Sequence, residues 1–225
     1  TWISSNVTIM EGARIGKNCR IFPGAVISAI PQDLKFSGEE SIARIGNCTT
    51  IRECVTINRG TSASGETTVG DNCLLMAYSH VAHDCIIGNN CIIANSVAIA
   101  GHVTLGDYAI LGGLSAVHQF VKIGEHSMIS GGTLIRKDIP PFVKAAKEPA
   151  SFVGINSIGL QRRGFEADKI YEIQNIYRRL FQSNQNISQA IKSIDSEFSN
   201  SKEKEKILSF IETSERGIMK GYSSK

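Results

Sequence analysis

Four of the five histidines in this 225-residue sequence, His80, His83, His102 and His118, fall within a 39-residue stretch. The run His80-Val81-Ala82-His83-Asp84 sets an imidazole beside a carboxylate. Histidine accepts a proton near neutral pH, and a neighbouring carboxylate fixes its tautomer and stabilises the imidazolium that forms. This is the equipment of a general base for acyl transfer. A single histidine is more often an ordinary surface or hydrogen-bonded residue, so the chemistry depends on what the fold gathers around the pair.

The elements that must do the gathering are legible as a period of six. Branched apolar residues stand at Ile3, Ile9, Ile15, Ile21 and Ile27, at Ile45, Ile51 and Ile57, and at every sixth position from Val69 to Ile135. The series misses only at Asp33, Glu39 and Ala63, in two stretches (31–40 and 61–66) that read as loops. A helix period of 3.6 cannot generate this spacing. Two positions before most of these residues stands a small one, including Cys19, Cys73, Cys85 and Cys91. These cysteines therefore read as interior packing residues, and all six as free thiols with no metal or redox spacing. Glycine often follows the branched residue, as at Gly70, Gly88 and Gly106, where it suits a tight corner.

The pattern resembles the hexapeptide-repeat acyltransferase family, which implies a left-handed parallel β-helix with three six-residue faces per coil. Residues 18 apart then stack, about 4.8 Å apart as in any neighbouring strands. The rule puts Gly101 over His83, His102 over Asp84 and Gln119 over Gly101, with His118 alongside. One corner thus collects a base, its carboxylate and, at Gly101, a backbone N–H free to meet a developing oxyanion.

The adjacent prolines Pro140 and Pro141 end the ladder by removing two strand donors. Beyond them the period becomes helical: Ile170, Ile173, Tyr177, Leu180 and Phe181 share one face, and Ile187, Ala190, Ile191, Ile194 and Phe198 another. Asn186 and Gln189 read as a capping pair, and a third helix is expected over about 202–218. The chain divides into a β-helix over 1–140 and a C-terminal helical domain over 141–225. It opens at Thr1 with Ile3 already in register, so earlier coils are expected to be missing or residue 1 is not the natural start.

A closer resemblance is carried by Gln32-Asp33-Leu34-Lys35, residues 51–60 (IRECVTINRG), His80 to Asp84, Gly101-His102-Val103, residues 112–120 (GGLSAVHQF), residues 138–142 and residues 159–165 (GLQRRGF). Together, and in order over nearly the whole chain, these resemble the UDP-N-acetylglucosamine O-acyltransferase family. The resemblance implies transfer of a 3-hydroxyacyl chain from acyl carrier protein to the 3-hydroxyl of UDP-N-acetylglucosamine, the first step of lipid A biosynthesis. It implies His83 as general base, Asp84 as its support and Gly101 N–H as oxyanion donor. Asp33, Lys35, His80, His102, His118, Gln119, Asn156, Arg162 and Arg163 match positions that hold the sugar nucleotide, the pantetheine arm or the carrier protein. Arg162 and Arg163 also make sense as guanidinium clamps on a diphosphate, or as an ordinary helix-entry pair. Gly131 matches the position that limits acyl-chain length and implies an open groove for a long chain, roughly 14 carbons or more. Pro149 and Ile158 depart from the family pattern, where a histidine and an acidic residue stand.

The resemblance further implies a homotrimer with active sites between subunits and no cofactor, since the acyl chain arrives on the carrier's phosphopantetheine. The rival readings are the sister N-acyltransferase acting on the O-acylated sugar nucleotide, and a γ-carbonic-anhydrase-like metalloenzyme on the same scaffold. The latter needs three histidine ligands around an open zinc position, and the spacing of a third beside His80 and His83 is missing; no metal is expected.

Composition sets the remaining bounds. The 42% hydrophobic content is ordinary for a soluble domain, and no apolar run approaches the roughly 20 residues of a membrane span. A cytoplasmic protein without nucleic-acid or integral-membrane association is expected. Up to Ile135 there are 8 Lys and Arg against 10 Asp and Glu, and from Arg136 onward 16 against 11. The basic bias therefore belongs to the C-terminal part, either as a surface for an acidic partner or as a solvated helical face.

Overall fold

The computed structural model describes residues 1–183 and 185–221. Its strands, mostly two residues long, form three sheets, parallel throughout the coils, that are the three faces of a left-handed parallel β-helix. The first face starts with Trp2–Ile3, the second with Thr8–Ile9 and the third with Ala13–Ile15. The 18-residue rule holds through the regular coils from Thr68 to Ile135: His80 pairs with Ala98, Ala98 with Ala116, and Ile86 with Thr104. Where the loops intervene the coil lengthens, by one hexad between Thr56 and its partner His80 and by two between Ala13 and its partner Ala43. The series resumes in phase because both insertions are whole multiples of the hexad.

The branched residues point inward and stack into one core, with Ile27, Ile51, Leu75, Ile93 and Ile99 fully buried. Cutting one such residue back to Ala costs about 2–5 kcal/mol. Cys19, Cys73, Cys85 and Cys91 lie in that core as packing residues, and all six cysteines are free thiols.

The glycines serve a different purpose from the one expected. A Cβ on Gly70 would lie 2.6 Å from the Gly88 carbonyl oxygen, so successive coils touch backbone to backbone there. The left-handed turn itself falls on non-glycine residues at the corners, among them Asn72, Asp84, Asn90 and His102, with φ from 55° to 60°. Asparagine and aspartate tolerate that conformation best. One corner adds a polar ladder, in which Asn47, Asp71, Asn89 and Asp107 each accept a backbone N–H from the coil before.

The coils end after Leu134–Ile135, yet the first face continues past the expected cut at residue 140. Strand Val143–Ala146 pairs in parallel with Met128–Ile129, and Ser151–Ile155 folds back on it. The C-terminal region is thus continuous with the sheet. Among the described residues four helices follow: α1 (Ser157–Arg162), α2 (Ala167–Gln182), α3 (Ile187–Glu197) and α4 (Lys202–Glu212). Ile170, Ile173, Tyr177 and Leu180 form the buried stripe of α2, and the Tyr177 hydroxyl donates to the Pro141 carbonyl at 2.6 Å. Asn186 and Gln189 form the anticipated capping box. α3 has no basic residue in its last turn; buried Lys204 of α4 supplies the cation, donating to the Asp195 and Phe198 carbonyls.

Helix α4 stops at Glu212 rather than running to residue 218. The tail is captured instead by buried Asp138, whose carboxylate accepts from Ser214 Oγ and whose carbonyl accepts from Met219 N–H. Lys220–Gly221 then joins the sheet beside Ser151–Ile155. Among the described residues no helix is long and apolar enough to cross a membrane.

Candidate active site

The prism has three edges. Edge I joins the second and third faces at residues 83–84, 101–102 and 119–120; edge II carries 89–90, 107–108 and 125–126; edge III carries 95–96, 113–114 and 131–132.

Edge I assembles the expected constellation. His83 and Asp84 are buried, with His83 Nδ1 2.7 Å from Asp84 Oδ2. A Cβ on Gly101 would fall 2.7 Å from His83 Nε2, so the imidazole packs against a residue that must lack a side chain. The buried Gly101 N–H has no acceptor among the described residues. His102 stands edge-on to His83, with its Nε2 3.7 Å from Asp84 Oδ2, and its ring stacks on Phe120 at 4.6 Å.

Asp84 is the best-satisfied group at the site. Thr61 donates twice, from N–H to Oδ1 at 2.9 Å and from Oγ1 to Oδ2 at 2.7 Å, and Ser64 Oγ donates to Oδ1. Burial pushes this carboxyl's pKa up, but the bonds from Ser64, His83 and Thr61 outweigh it and hold the value at about 2. Asp84 is therefore ionised at neutral pH, so His83 donates from Nδ1 and keeps its lone pair on Nε2, against Gly101.

His80 and His118 lie along the same side. His80 leaves the second face with Nδ1 2.7 Å from Thr56 Oγ1, and burial followed by the nearby His83 lowers its pKa. His118 is exposed, its Nδ1 3.1 Å from the Gln119 carbonyl. Asp33 and Lys35 sit on the first loop, where Asp33 Oδ1 accepts the Lys35 N–H at 3.0 Å; neither makes a polar contact with the histidines.

Four expected residues lie away from edge I. Asn156 is buried on edge II, donating from Nδ2 to the His126 carbonyl at 2.9 Å. Arg163 donates to the Tyr108 carbonyl at 3.1 Å and points a second nitrogen at His126 Nδ1, 3.4 Å away. Arg162 is exposed at the end of α1. Gly131 is exposed on edge III, over Gly113. Of the departures from the family pattern, Pro149 lies in the exposed hairpin turn and Ile158 is exposed on α1.

Sequence reasoning missed Thr61, Ser64, Tyr108 and His126. Lengthening the ruler by one hexad for the second loop would have put Gly60 under Asp84 and Thr61 beside it. The unmodified ruler already stacks His126 on Tyr108, and the two rings lie parallel at 4.8 Å. Burial, with Arg163 and Lys206, lowers the His126 pKa to about 4.

A divalent ion could be held by His83, Asp84 and His102, whose ligand atoms lie within 4.8 Å of one another. The set differs from the His80–His83 pair weighed in the sequence. Both oxygens of Asp84 already carry two donors each, so an ion would have to displace hydrogen bonds.

The family model for domain 2 of UDP-N-acetylglucosamine O-acyltransferases matches residues 138–219, and that for six bacterial transferase hexapeptide repeats matches residues 66–101. An acyl-[acyl-carrier-protein]--UDP-N-acetylglucosamine O-acyltransferase from Chlorobaculum parvum is 50% identical over 210 residues, 92% of this chain and 78% of the relative. One from Anaeromyxobacter is 39% identical over 205 residues, 91% and 80% respectively. The crystal structure of a UDP-N-acetylglucosamine acyltransferase from Bacteroides fragilis superposes with a TM-score of 0.95 at 51% identity, covering 97% of this chain and 86% of that one.

Proposed function

Because the chain belongs to the acyl-[acyl-carrier-protein]--UDP-N-acetylglucosamine O-acyltransferase family, which catalyses the first step of lipid A biosynthesis, we propose that His83 is the general base of that transfer. The observation that carries this reading is the imidazole held by Asp84 through Nδ1, with Nε2 bare against Gly101.

Nε2 takes the proton of the sugar's 3-hydroxyl as that oxygen attacks the thioester carbonyl of a 3-hydroxyacyl carrier protein. The carbonyl electron pair moves onto oxygen, where the unpaired Gly101 N–H donates to it. When the tetrahedral intermediate collapses, the C–S bond breaks and the imidazolium returns its proton to the pantetheine sulfur. Asp84 stays ionised throughout and stabilises the imidazolium. His80, His102, His118 and Gln119 line the approach along edge I and, with Asp33 and Lys35 on the first loop, hold the sugar nucleotide or the pantetheine arm.

Arg162, Arg163 and Asn156 serve the nucleotide or the carrier from edge II. These residues lie on a different edge from His83, and the homotrimer that the family resemblance implies would bring edges of neighbouring chains together around one substrate. It also places Gly131 beside the acyl chain. Mass analysis of the product from UDP-N-acetylglucosamine and a mixture of hydroxyacyl carriers tests the reading: an O-acylated sugar nucleotide is expected, and no acyl-sugar product would defeat it.

A further inference from the structure

We propose that the second loop is part of the catalytic machinery, with Thr61 and Ser64 as positioning residues that aim Asp84 at His83. The proposal rests on the reading of His83 as general base.

The loop joins the strands Thr56–Asn58 and Glu66–Val69 and lengthens its coil by one hexad. It adds nothing to the inner hexad column, where Ala63 stands in place of a branched residue. What it supplies is donors. An ionised carboxylate offers about four lone-pair sites. On Asp84 all four are used, three by this loop and one by His83. The Asp84 backbone is fixed independently, its N–H donating to Thr67 Oγ1 at 2.8 Å.

The arrangement matters because Oδ2 has two suitors. His83 Nδ1 lies 2.7 Å away and His102 Nε2 3.7 Å away. Rotation of the carboxylate changes the distance from Oδ2 to each histidine. The two bonds to Oδ1, from Thr61 N–H and Ser64 Oγ, fix that rotation so that Oδ2 meets His83. Thr61 Oγ1 accepts from Ala63 N–H at 3.2 Å, which leaves its single hydrogen aimed at Oδ2. The Ser64 hydroxyl has a second acceptor in the Glu66 carbonyl at 2.9 Å, so Thr61 contributes more. The loop is itself braced: Glu39 of the first loop accepts the Ser62 N–H at 2.9 Å, and backbone donors at Glu39, Ser37 and Ser62 hold its carboxyl near pKa 2.

The test compares Thr61→Val, Ser64→Ala and their double variant with Thr61→Ser, which keeps the hydroxyl. Each is measured by kcat and KM for both substrates, by melting temperature, and by the ring-nitrogen NMR signals of His83. Thr61→Val should lower kcat about tenfold at unchanged KM, from the loss of one charge-assisted bond. It should also weaken the Nδ1–H signal as the other tautomer becomes populated, and Thr61→Ser should restore both. Ser64 is exposed, so Ser64→Ala keeps the coil even if Thr61→Val unfolds it, and it should show the same two changes to a smaller degree. Folded variants with full kcat and an unchanged Nδ1–H signal would overturn the proposal. Full activity in His83→Ala would instead remove the reading beneath it.

Discussion

His83 and Asp84 are neighbours in sequence, yet they meet side chain to side chain only because Asp84 adopts φ 58° at the corner of the coil, which closes Nδ1 to Oδ2 at 2.7 Å. A carboxylate on extended backbone would point to the opposite face from its neighbour. The general base and its orienting group are thus a product of coil geometry as much as of residue choice.

Asp84→Asn keeps the shape and loses the charge that fixes the tautomer. Transfer should fall by about two orders of magnitude or more in kcat, with KM little changed. Stability should respond as well. A carboxyl held at about 2 against an ordinary 3.8 stabilises the fold fully above pH 4 and loses that contribution as pH falls towards 2. Denaturant titrations at pH 5 and pH 2.5 should therefore show a smaller acid loss in Asp84→Asn than in the wild type.

Gly101→Ala places a methyl 2.6 Å from His83 Cε1 and 2.7 Å from Nε2. The ring must swing away while the hexad core is untouched. A fall in kcat of about a hundredfold with a near-normal melting temperature is expected; wild-type kinetics would show that the imidazole does not work against this backbone.

His126→Phe keeps the stack between Tyr108 and Phe142 and removes the titrating nitrogen. Burial first, then Arg163 and Lys206, hold this histidine near pKa 4 against the partial pull of Asp107. A histidine with a lowered folded pKa stabilises the fold above about 6.5 and loses that contribution as pH drops towards 4. The wild type's melting temperature should fall more steeply than the variant's across that window.

Gly131→Met would fill exposed space on edge III, where a Cβ comes within 3.0 Å of the Gly113 carbonyl. Preference should shift from long to short hydroxyacyl carriers in a competition assay, and a wild-type chain-length profile would detach Gly131 from the acyl groove.

The hexad was readable because each six-residue face buries one branched residue, and Ile51, Leu75 and Ile93 stay in phase because both loop insertions are whole hexads. The 18-residue stacking rule alone sets Gly101 against His83 and His102 near Asp84. Thr61 and Ser64 escaped it because a loop has no period and shifts the register by six. The hairpin over 143–155 and the short helix α1 are too brief for a period to emerge, and α4 ends early because Asp138 recruits the tail, a contact across 76 residues that local pattern cannot contain. The corner glycines were legible as glycines, but their stacking role required the neighbouring coil.

The central claim is that His83 Nε2 removes the acceptor proton. Single-turnover transfer by His83→Ala, with its melting temperature and UDP-N-acetylglucosamine binding verified, tests it most directly. A loss of at least about a hundredfold in the transfer step with binding retained is expected. Transfer at the wild-type rate by a folded, substrate-binding His83→Ala protein would contradict it.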